Sequence, residues 1–420
     1  VAGARALALD ISPLRDSKSY RALWLGQVVS LIGTQMRFVA VPWQVFKLTG
    51  STAAVGLVGL VEVVPLIAFS ILGGAFADVT DRKKVVGRAN AGLLLTSLAL
   101  AVLTFSGKAT LIGVYAITAV ASALAAIDRP ARSAMMPNLI REDQLPAAMA
   151  LRQVAFQTTM IVGPAIGGLM IASFSLGWVY VIDAVTFIAA QLSLRWIPRM
   201  VPERGAESGG WAAIREGLRF SFRTPVLLSI FLIDLVAMVF GMPRAVFPAL
   251  ADEVFKTGAK GVGLLYAAPA AGALVAALLG GWVTRIRKQG PAVVISVAIW
   301  GAAIALAGLS LWSLWLTLAL LAVAGAADVY SAIFRGTMLL QTTPDALRGR
   351  VSAVNIMVVT GGPRVGDVEA GVAASLVGAG PSVFLGGAAC LVGTAVIALR
   401  FPALRRYRTA ASAEAPFTPT

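Results

Sequence analysis

The sequence predicts an all-α membrane protein, with twelve transmembrane helices in two six-helix pseudo-symmetric bundles. Three observations carry that prediction. First, the 420 residues are 58% hydrophobic and 13% charged, whereas a soluble domain carries roughly 25% charged residues. There is too little charge to cover a water-facing surface. Second, stretches long enough to cross a bilayer, about 20 largely apolar residues each, recur along the whole chain. Third, Lys and Arg cluster on one side of those stretches.

The elements follow in order from the apolar runs and the basic residues that punctuate them. A polar, amphipathic segment with Arg5, Arg15, Lys18 and Arg21 reads as no cleavable signal and leads into the first span, 22–46, which stops at Lys47. The second, 54–78, runs into Arg82, Lys83, Lys84 and Arg88. The third, 85–106, stops before Lys108. The fourth and fifth, 111–137 and 147–173, are parted by Arg141, and the sixth, 177–197, ends among Arg195 and Arg199. Residues 198–224 form the longest polar connection, with Pro198, Pro202, Gly205, Gly209 and Gly210. The seventh span, 225–250, precedes Lys256 and Lys260, and the eighth, 261–284, precedes Arg285, Arg287 and Lys288. Spans 291–311, 313–338, 350–377 and 381–400 complete the second block. The expected organisation is thus a cytoplasmic N-terminus (1–21), a first bundle (22–197), a cytoplasmic loop (198–224), a second bundle (225–400) and a cytoplasmic tail (401–420).

Placing both termini in the cytoplasm puts 25 of the 35 Lys and Arg in cytoplasmic segments and four in outer loops, with six inside spans. This is the asymmetry of the positive-inside rule, and it is what puts both termini inside. The net charge of +15 therefore reads as topology, and no nucleic-acid partner is expected. The composition also narrows the chemistry. With no His and a single Cys, Cys390, an intramolecular disulfide and a His/Cys metal site are excluded. No Gly-x-x-x-x-Gly-Lys-Ser/Thr loop and no nucleophile motif appears. Neither an enzyme, a cofactor nor a metal is expected.

The two blocks repeat weakly at an offset of about 200 residues, the size of a transporter half. Ala-Ala-Ile-Asp128 is matched by Ala-Ala-Asp328, and Gly163-Pro164-Ala-Ile-Gly167-Gly168 by Gly362-Pro363-Arg-Val-Gly366-Asp367. Between the second and third spans stands Gly74-Ala-Phe-Ala-Asp78-Val-Thr-Asp81-Arg82-Lys83-Lys84. This resembles the cytoplasmic signature of the major facilitator superfamily, with Val79 in a usual Arg position and Asp81 in a usual Gly position. The resemblance implies that Asp78 caps the start of the eleventh span and latches the two halves. Its second-half counterpart, Gly281-Trp-Val-Thr-Arg285-Ile-Arg287-Lys288, lacks the carboxylate, which makes any latch one-sided. The Gly163–Gly168 run resembles the core of the antiporter signature of that superfamily's drug exporters, although Ala150 and Thr159 stand at glycine positions upstream. It implies a flexible gating helix and outward transport. Asp128-Arg129-Pro130-Ala-Arg132-Ser133 resembles the fourth-helix signature at Arg129 only.

Three further segments resemble the enterobactin-exporter branch, which also includes macrolide and multidrug exporters. They are Arg244-Ala-Val-Phe-Pro248-Ala-Leu-Ala-Asp252, Gly263-Leu-Leu-Tyr266 and Met338-Leu-Leu-Gln341-Thr-Thr-Pro344-Asp345-Ala-Leu-Arg348-Gly349-Arg350.

Charges inside spans are costly, about 2.5–3.5 kcal/mol on insertion scales, so they mark function or pairing. The acids are Glu62, Asp128, Asp183, Asp234, Asp328, Asp367 and Glu369. The bases are Arg37, Arg129, Arg132, Arg244, Arg335 and Arg364. Similar depth on consecutive spans predicts that Arg37 faces Glu62, and i,i+3 spacing makes a local Arg364–Asp367 pair plausible. Asp183 and Asp234 read as close to span ends. With no His, proton coupling must run through carboxylates, and Asp128, Glu62, Asp328 and Asp367 are the expected carriers. Arg37, Arg129, Arg132 and Arg364 are the expected substrate contacts, because arginine in a low-dielectric cavity suits an anionic aromatic compound. Trp43, Phe156, Phe334 and Tyr330 are possible cavity aromatics. The expected activity is proton-coupled export of a siderophore or similar amphiphile by a lipid-embedded monomer. Efflux of macrolide- or tetracycline-type drugs is the alternative, and a receptor or scaffold that moves nothing is a remote one.

Overall fold

The computed structural model describes residues 10–200 and 210–408, with side chains described outside 70–79, 210–214 and 284. Within it run twelve long helices: α1 Lys18–Thr49, α2 Thr52–Val79, α3 Arg82–Phe105, α4 Leu111–Met135, α5 Leu145–Ser173, α6 Leu176–Ser193, α7 Pro225–Phe240, α8 Gly258–Leu279, α9 Gln289–Leu309, α10 Leu314–Thr342, α11 Arg348–Val377 and α12 Ala379–Arg400. Among the described residues there is no strand. Among the described residues, ten helical segments are long and apolar enough to cross a membrane. The other two, α1 and α11, have the length but are interrupted by polar side chains, including Gln27, Gln35 and Arg37 in α1 and Arg364, Asp367 and Glu369 in α11. Several of those same side chains, Gln27, Gln35, Arg37 and Arg364, line the central cavity, so the apolarity is broken where the cavity runs.

Local chemistry sets the helix ends. Ser17, Asp81, Thr110 and Ser313 each accept a backbone N–H in the first turn of α1, α3, α4 and α10, the usual role of a short oxygen-bearing N-cap. Gly50 closes α1 in the left-handed region at φ 63°, which costs glycine little. The seventh span departs from expectation. Instead of one helix over 225–250, α7 stops at Phe240, a turn through Gly241, Met242 and Pro243 follows, and the chain resumes as the short turns Arg244–Val246, Phe247–Ala249 and Leu250–Val254. Pro243 has no N–H to donate and disfavours helical backbone at Met242. Trp300 Nε1 donates to the freed Gly241 carbonyl at 2.8 Å. Broken backbone at membrane depth is tolerated where protein satisfies it, and this break sets Arg244 beside the cavity.

The antiparallel run of spans leaves α1 starting and α12 finishing at one end of the molecule, called here the terminal end. Near the opposite end the two bundles meet along two helix pairs, α2 with α11 and α5 with α8. Glycine permits both contacts. A Cβ on Gly168 of α5 would lie 2.6 Å from the Ala259 carbonyl oxygen and 2.7 Å from Gly263 Cα. A Cβ on Gly371 of α11 would lie 2.5 Å from the Thr52 carbonyl oxygen and 2.9 Å from Gly56 Cα. The same arrangement thus occurs twice, each time between one helix of the first bundle and one of the second. Without water to drive apolar association, such close backbone approach is what holds membrane helices together. Gly163 and Gly167 play the same part within the first bundle, against Gln35 and Met36 of α1, while Pro164 offers its carbonyl to the close approach of Gly263.

Candidate functional site

Between the bundles lies a cavity of about 620 Å³. Its walls run from Trp24, Ser133 and Arg152 towards the terminal end to Glu62, Arg244 and Arg364 near the inter-bundle contact. Six arginines line it: Arg37, Arg129, Arg132, Arg152, Arg244 and Arg364. Their partners decide what the site can do.

Four of the six are matched one to one with carboxylates. Arg37 meets Asp183 of α6 at 3.2 Å, and the same Asp183 accepts from Ser97 at 2.6 Å. Arg132 grips Asp128, one turn back on α4, at 2.9 and 3.0 Å and donates to Asn90 at 3.0 Å. Arg244 forks onto both oxygens of Asp367 at 2.9 and 3.2 Å and reaches the Pro363 carbonyl. Arg364 of α11 crosses to Glu62 of α2 at 2.9 Å, joining the two bundles at the inner wall. Phe38 stands beside both of these last arginines, with their guanidinium carbons 5.5 and 5.7 Å from its ring, inside cation–π range. Tyr266 meets Phe38 edge-on at 5.3 Å and donates its hydroxyl to the Arg244 carbonyl.

Arg129 is different. It is exposed to the cavity, and among the described residues it has no hydrogen bond or ion pair. Arg152 donates only to the Ser133 hydroxyl, at 3.2 Å. Two positive charges therefore face the cavity without a carboxylate of their own.

A second ionic group sits inside the C-terminal bundle. Arg335 of α10 contacts Asp234 of α7 closely and stands 3.8 Å from Asp328. Two carboxylates share one guanidinium. The Asp234 side chain is 2% exposed and that of Asp328 30%, so Asp328 is the accessible member.

Several expectations need correction. Arg37 and Glu62 line the same cavity but do not pair, because α1 packs mainly on α5 and α6 and only lightly on α2. Arg364 and Asp367 do not bond locally: each finds its partner on another segment. Asp183 and Asp234 are buried well inside their helices, not near span ends. Of the possible cavity aromatics only Phe156 lines it. Phe334 is 1% exposed in the core, Trp43 lies under Lys47 and Tyr330 stacks edge-on with Trp282. Arg244 stands among the expected intra-span bases but not among the expected substrate contacts, and the ring pair Phe38–Tyr266 was not foreseen; Gly241-Met-Pro243 was a readable signal for the break that places Arg244. Gly74 and Asp78 lie outside the residues whose side chains are described. Asp81 accepts from the Lys83 and Met200 amides, Arg82 donates to the Ala134 carbonyl and Lys83 to that of Ile197. These three fasten the loop to its own bundle.

Residues 8–419 match the family described as transmembrane secretion effector, of the major facilitator superfamily. The chain belongs to that family. Among its relatives, "Enterobactin exporter EntS" of Escherichia coli O1:K1 / APEC is 27% identical over 403 residues, 95% of this chain and 96% of that one. The same exporter from Shigella boydii serotype 18 matches equally. Among solved structures, the nucleoside transporter NupG aligns with a TM-score of 0.74 at 14% identity, over 93% of this chain and all of that one. A bacterial homologue of the iron transporter ferroportin in its inward-facing state gives 0.70 at 14% identity, over 91% and 98%. Those two likenesses establish the fold. The chain is a multi-pass membrane exporter of the major facilitator superfamily, and not an enzyme.

The buried Arg37–Asp183 pair supplies a first prediction. Asp183 is fully buried and the Arg37 side chain only 13% exposed, so Asp183→Ala leaves a largely desolvated guanidinium without its counter-charge, at an expected cost of about 3 kcal/mol, the low end for a broken buried pair. Thermal unfolding in detergent should show a large drop in Tm for Asp183→Ala. An Arg37→Met/Asp183→Leu double variant should recover most of it. Equal losses in single and double variants would exclude the stranded charge as the cause.

Proposed function

We propose that this exporter carries an anionic, aromatic-bearing amphiphile of the catechol-siderophore class out of the cytoplasm, in exchange for protons and by alternating access. The observation that carries the substrate class is Arg129, an unpaired guanidinium exposed to a cavity that also offers Trp24, Phe38 and Phe156. A substrate carboxylate, phenolate or sulfonate supplies the missing counter-charge, and flat rings lie against the aromatic and guanidinium faces. Enterobactin export by the EntS relatives supports the same class. The positive-inside asymmetry supports a cytoplasmic terminal end. On that orientation the cavity faces the cytoplasm, and the Gly168–Gly263 and Gly371–Gly56 contacts hold the outer side shut.

For the exchanged proton, three of the four expected carriers already own an arginine: Asp128 has Arg132, Glu62 has Arg364 and Asp367 has Arg244. Asp328 shares its arginine with Asp234. Asp328 is therefore the assigned carrier. Glu369 also lacks a cation among the described residues, but it lies two turns from the far end of α11.

Inside-out vesicles with an imposed proton gradient test the reading. A catechol siderophore should accumulate, and Arg129→Ala should weaken its binding about 10- to 100-fold, the worth of one hydrogen bond to a charged group. Accumulation of macrolides or tetracyclines with no competition by siderophore selects drug efflux instead. No movement of either selects the receptor reading.

A further inference from the structure

On the lateral flank of the first bundle, at its terminal end, α3 and α6 bound a groove of about 740 Å³. None of its lining residues lines the transport cavity. Five cations surround it: Lys83, Lys84, Arg88, Arg195 and Arg199. Its single carboxylate, Asp81, is 9% exposed and already accepts two backbone amides, so it is a cap rather than a counter-ion. Lys83 is occupied with the Ile197 carbonyl. Among the described residues, the side chains of the remaining four have no hydrogen bond or ion pair. Four like charges around one concavity create a positive potential that attracts an anion.

A second observation says what kind of anion. The groove opens onto an apolar, outward-facing stripe. On α3, Lys84 and Arg88 are followed on the same face by exposed Ala91, Leu95, Leu98 and Val102. On α6, exposed Leu192, Ile188 and Val185 lead away from Arg195 in the same sense. Trp196, 64% exposed, follows Arg195 directly in the chain, and tryptophan favours the boundary between headgroups and hydrocarbon. Charge at headgroup depth, an aromatic marker and a hydrocarbon-facing surface below them match an amphiphile with an anionic head and acyl tails. A free inorganic anion would use the charges but not the stripe.

We infer that this groove is a binding site for the phosphate headgroup of an anionic phospholipid, held by Lys84, Arg88, Arg195 and Arg199. Basic pockets between helix ends are the membrane form of anionic-lipid recognition. The bound headgroup ties the start of α3, and with it the loop from α2, to the end of α6. This site is independent of what the central cavity carries.

The test uses the full chain in nanodiscs that mix phosphatidylcholine with phosphatidylglycerol. Bound lipid is counted by native mass spectrometry after delipidation, and Trp196 fluorescence is read with brominated forms of each lipid against a Trp196→Phe subtraction. Phosphatidylglycerol should be retained at least tenfold over phosphatidylcholine and should quench Trp196. The Lys84→Gln/Arg88→Gln/Arg195→Gln/Arg199→Gln variant should lose both preferences, while the charge-conserving Arg88→Lys/Arg195→Lys/Arg199→Lys variant keeps them, which separates lost charge from lost folding. Three results overturn the inference: equal retention of the two lipids, an unchanged preference in the Gln variant, or displacement of the lipid by inorganic phosphate alone.

Discussion

Asp328→Asn is expected to abolish proton-driven accumulation of substrate while leaving substrate binding and downhill exchange in place. The reason is charge balance inside the second bundle. Arg335 can neutralise one carboxylate, and Asp234, 2% exposed, holds it in the closer contact. Asp328, at 3.8 Å and 30% exposed, can ionise only by leaving a net negative charge in a poorly polarisable interior, where such charge is costly. A bound proton removes that cost. If the Asp234–Arg335–Asp328 group alternates between holding and releasing this proton as the bundles rock, each cycle is coupled to the gradient. One charge moved through 100 mV provides about 2.3 kcal/mol, roughly a 50-fold concentration ratio. The Asn side chain keeps the shape but cannot carry the proton, so the accumulation ratio in proteoliposomes should collapse to about one. Counterflow exchange, which needs no gradient, should persist. Uphill accumulation at the wild-type level in this variant would remove Asp328 from the coupling scheme.

How far these groups were readable in the sequence depends on what each reading used. The spans were legible because a bilayer imposes a length, and apolar runs of that length are hard to produce otherwise. The repeat was legible where it was carried by glycine, as in Gly163–Gly168, whose glycines do make the close approaches between α5, α1 and α8. Depth along a span, by contrast, says nothing about azimuth. Arg37 was matched with Glu62 because the two spans are consecutive, yet α1 and α2 scarcely touch, and Asp183 of α6 takes the partner's place. In a bundle of six, chain neighbours need not be packing neighbours. Arg364 and Asp367 failed for a related reason. Spacing on one helix permits a weak local pair, but better partners projected from α2 and from the broken segment after α7. Arg129 was named among four arginines, and only the structure separates it from the three with partners. A hydropathy pattern cannot show which cation is left over.

Gly168→Val is expected to remove the conformation described here, and Gly371→Val, at the matching contact of the other helix pair, should do the same. Each glycine meets backbone atoms of the other bundle, not the far end of a flexible side chain. The atoms ahead of an added Cβ are the Ala259 carbonyl at 2.6 Å for Gly168 and the Thr52 carbonyl at 2.5 Å for Gly371. Backbone on both sides leaves the helices no response but to separate. Overpacking of this kind costs about 1–3 kcal/mol, and a shift of 3 kcal/mol changes the ratio of two states roughly 150-fold. The bundles should then open at this end and stay open, which stops the cycle without touching the cavity. Cysteine labelling can report it, because the one native thiol, Cys390, is fully buried. Thr34 lines the cavity, so Thr34→Cys should react with an impermeant maleimide from outside the cell much faster in the valine variants than in the parent. Transport should fall about 100-fold on the same population argument. Gly336→Ala provides the control, since a Cβ there meets nothing within 4 Å. Unchanged labelling in both valine variants, with transport retained, would mean that the two glycine contacts are incidental to the cycle and that this end is closed by other means, such as the Lys47–Asp252 bridge at 2.7 Å. That bridge is exposed and exchangeable for water, worth about 0–1 kcal/mol, too little to hold a two-bundle interface by itself.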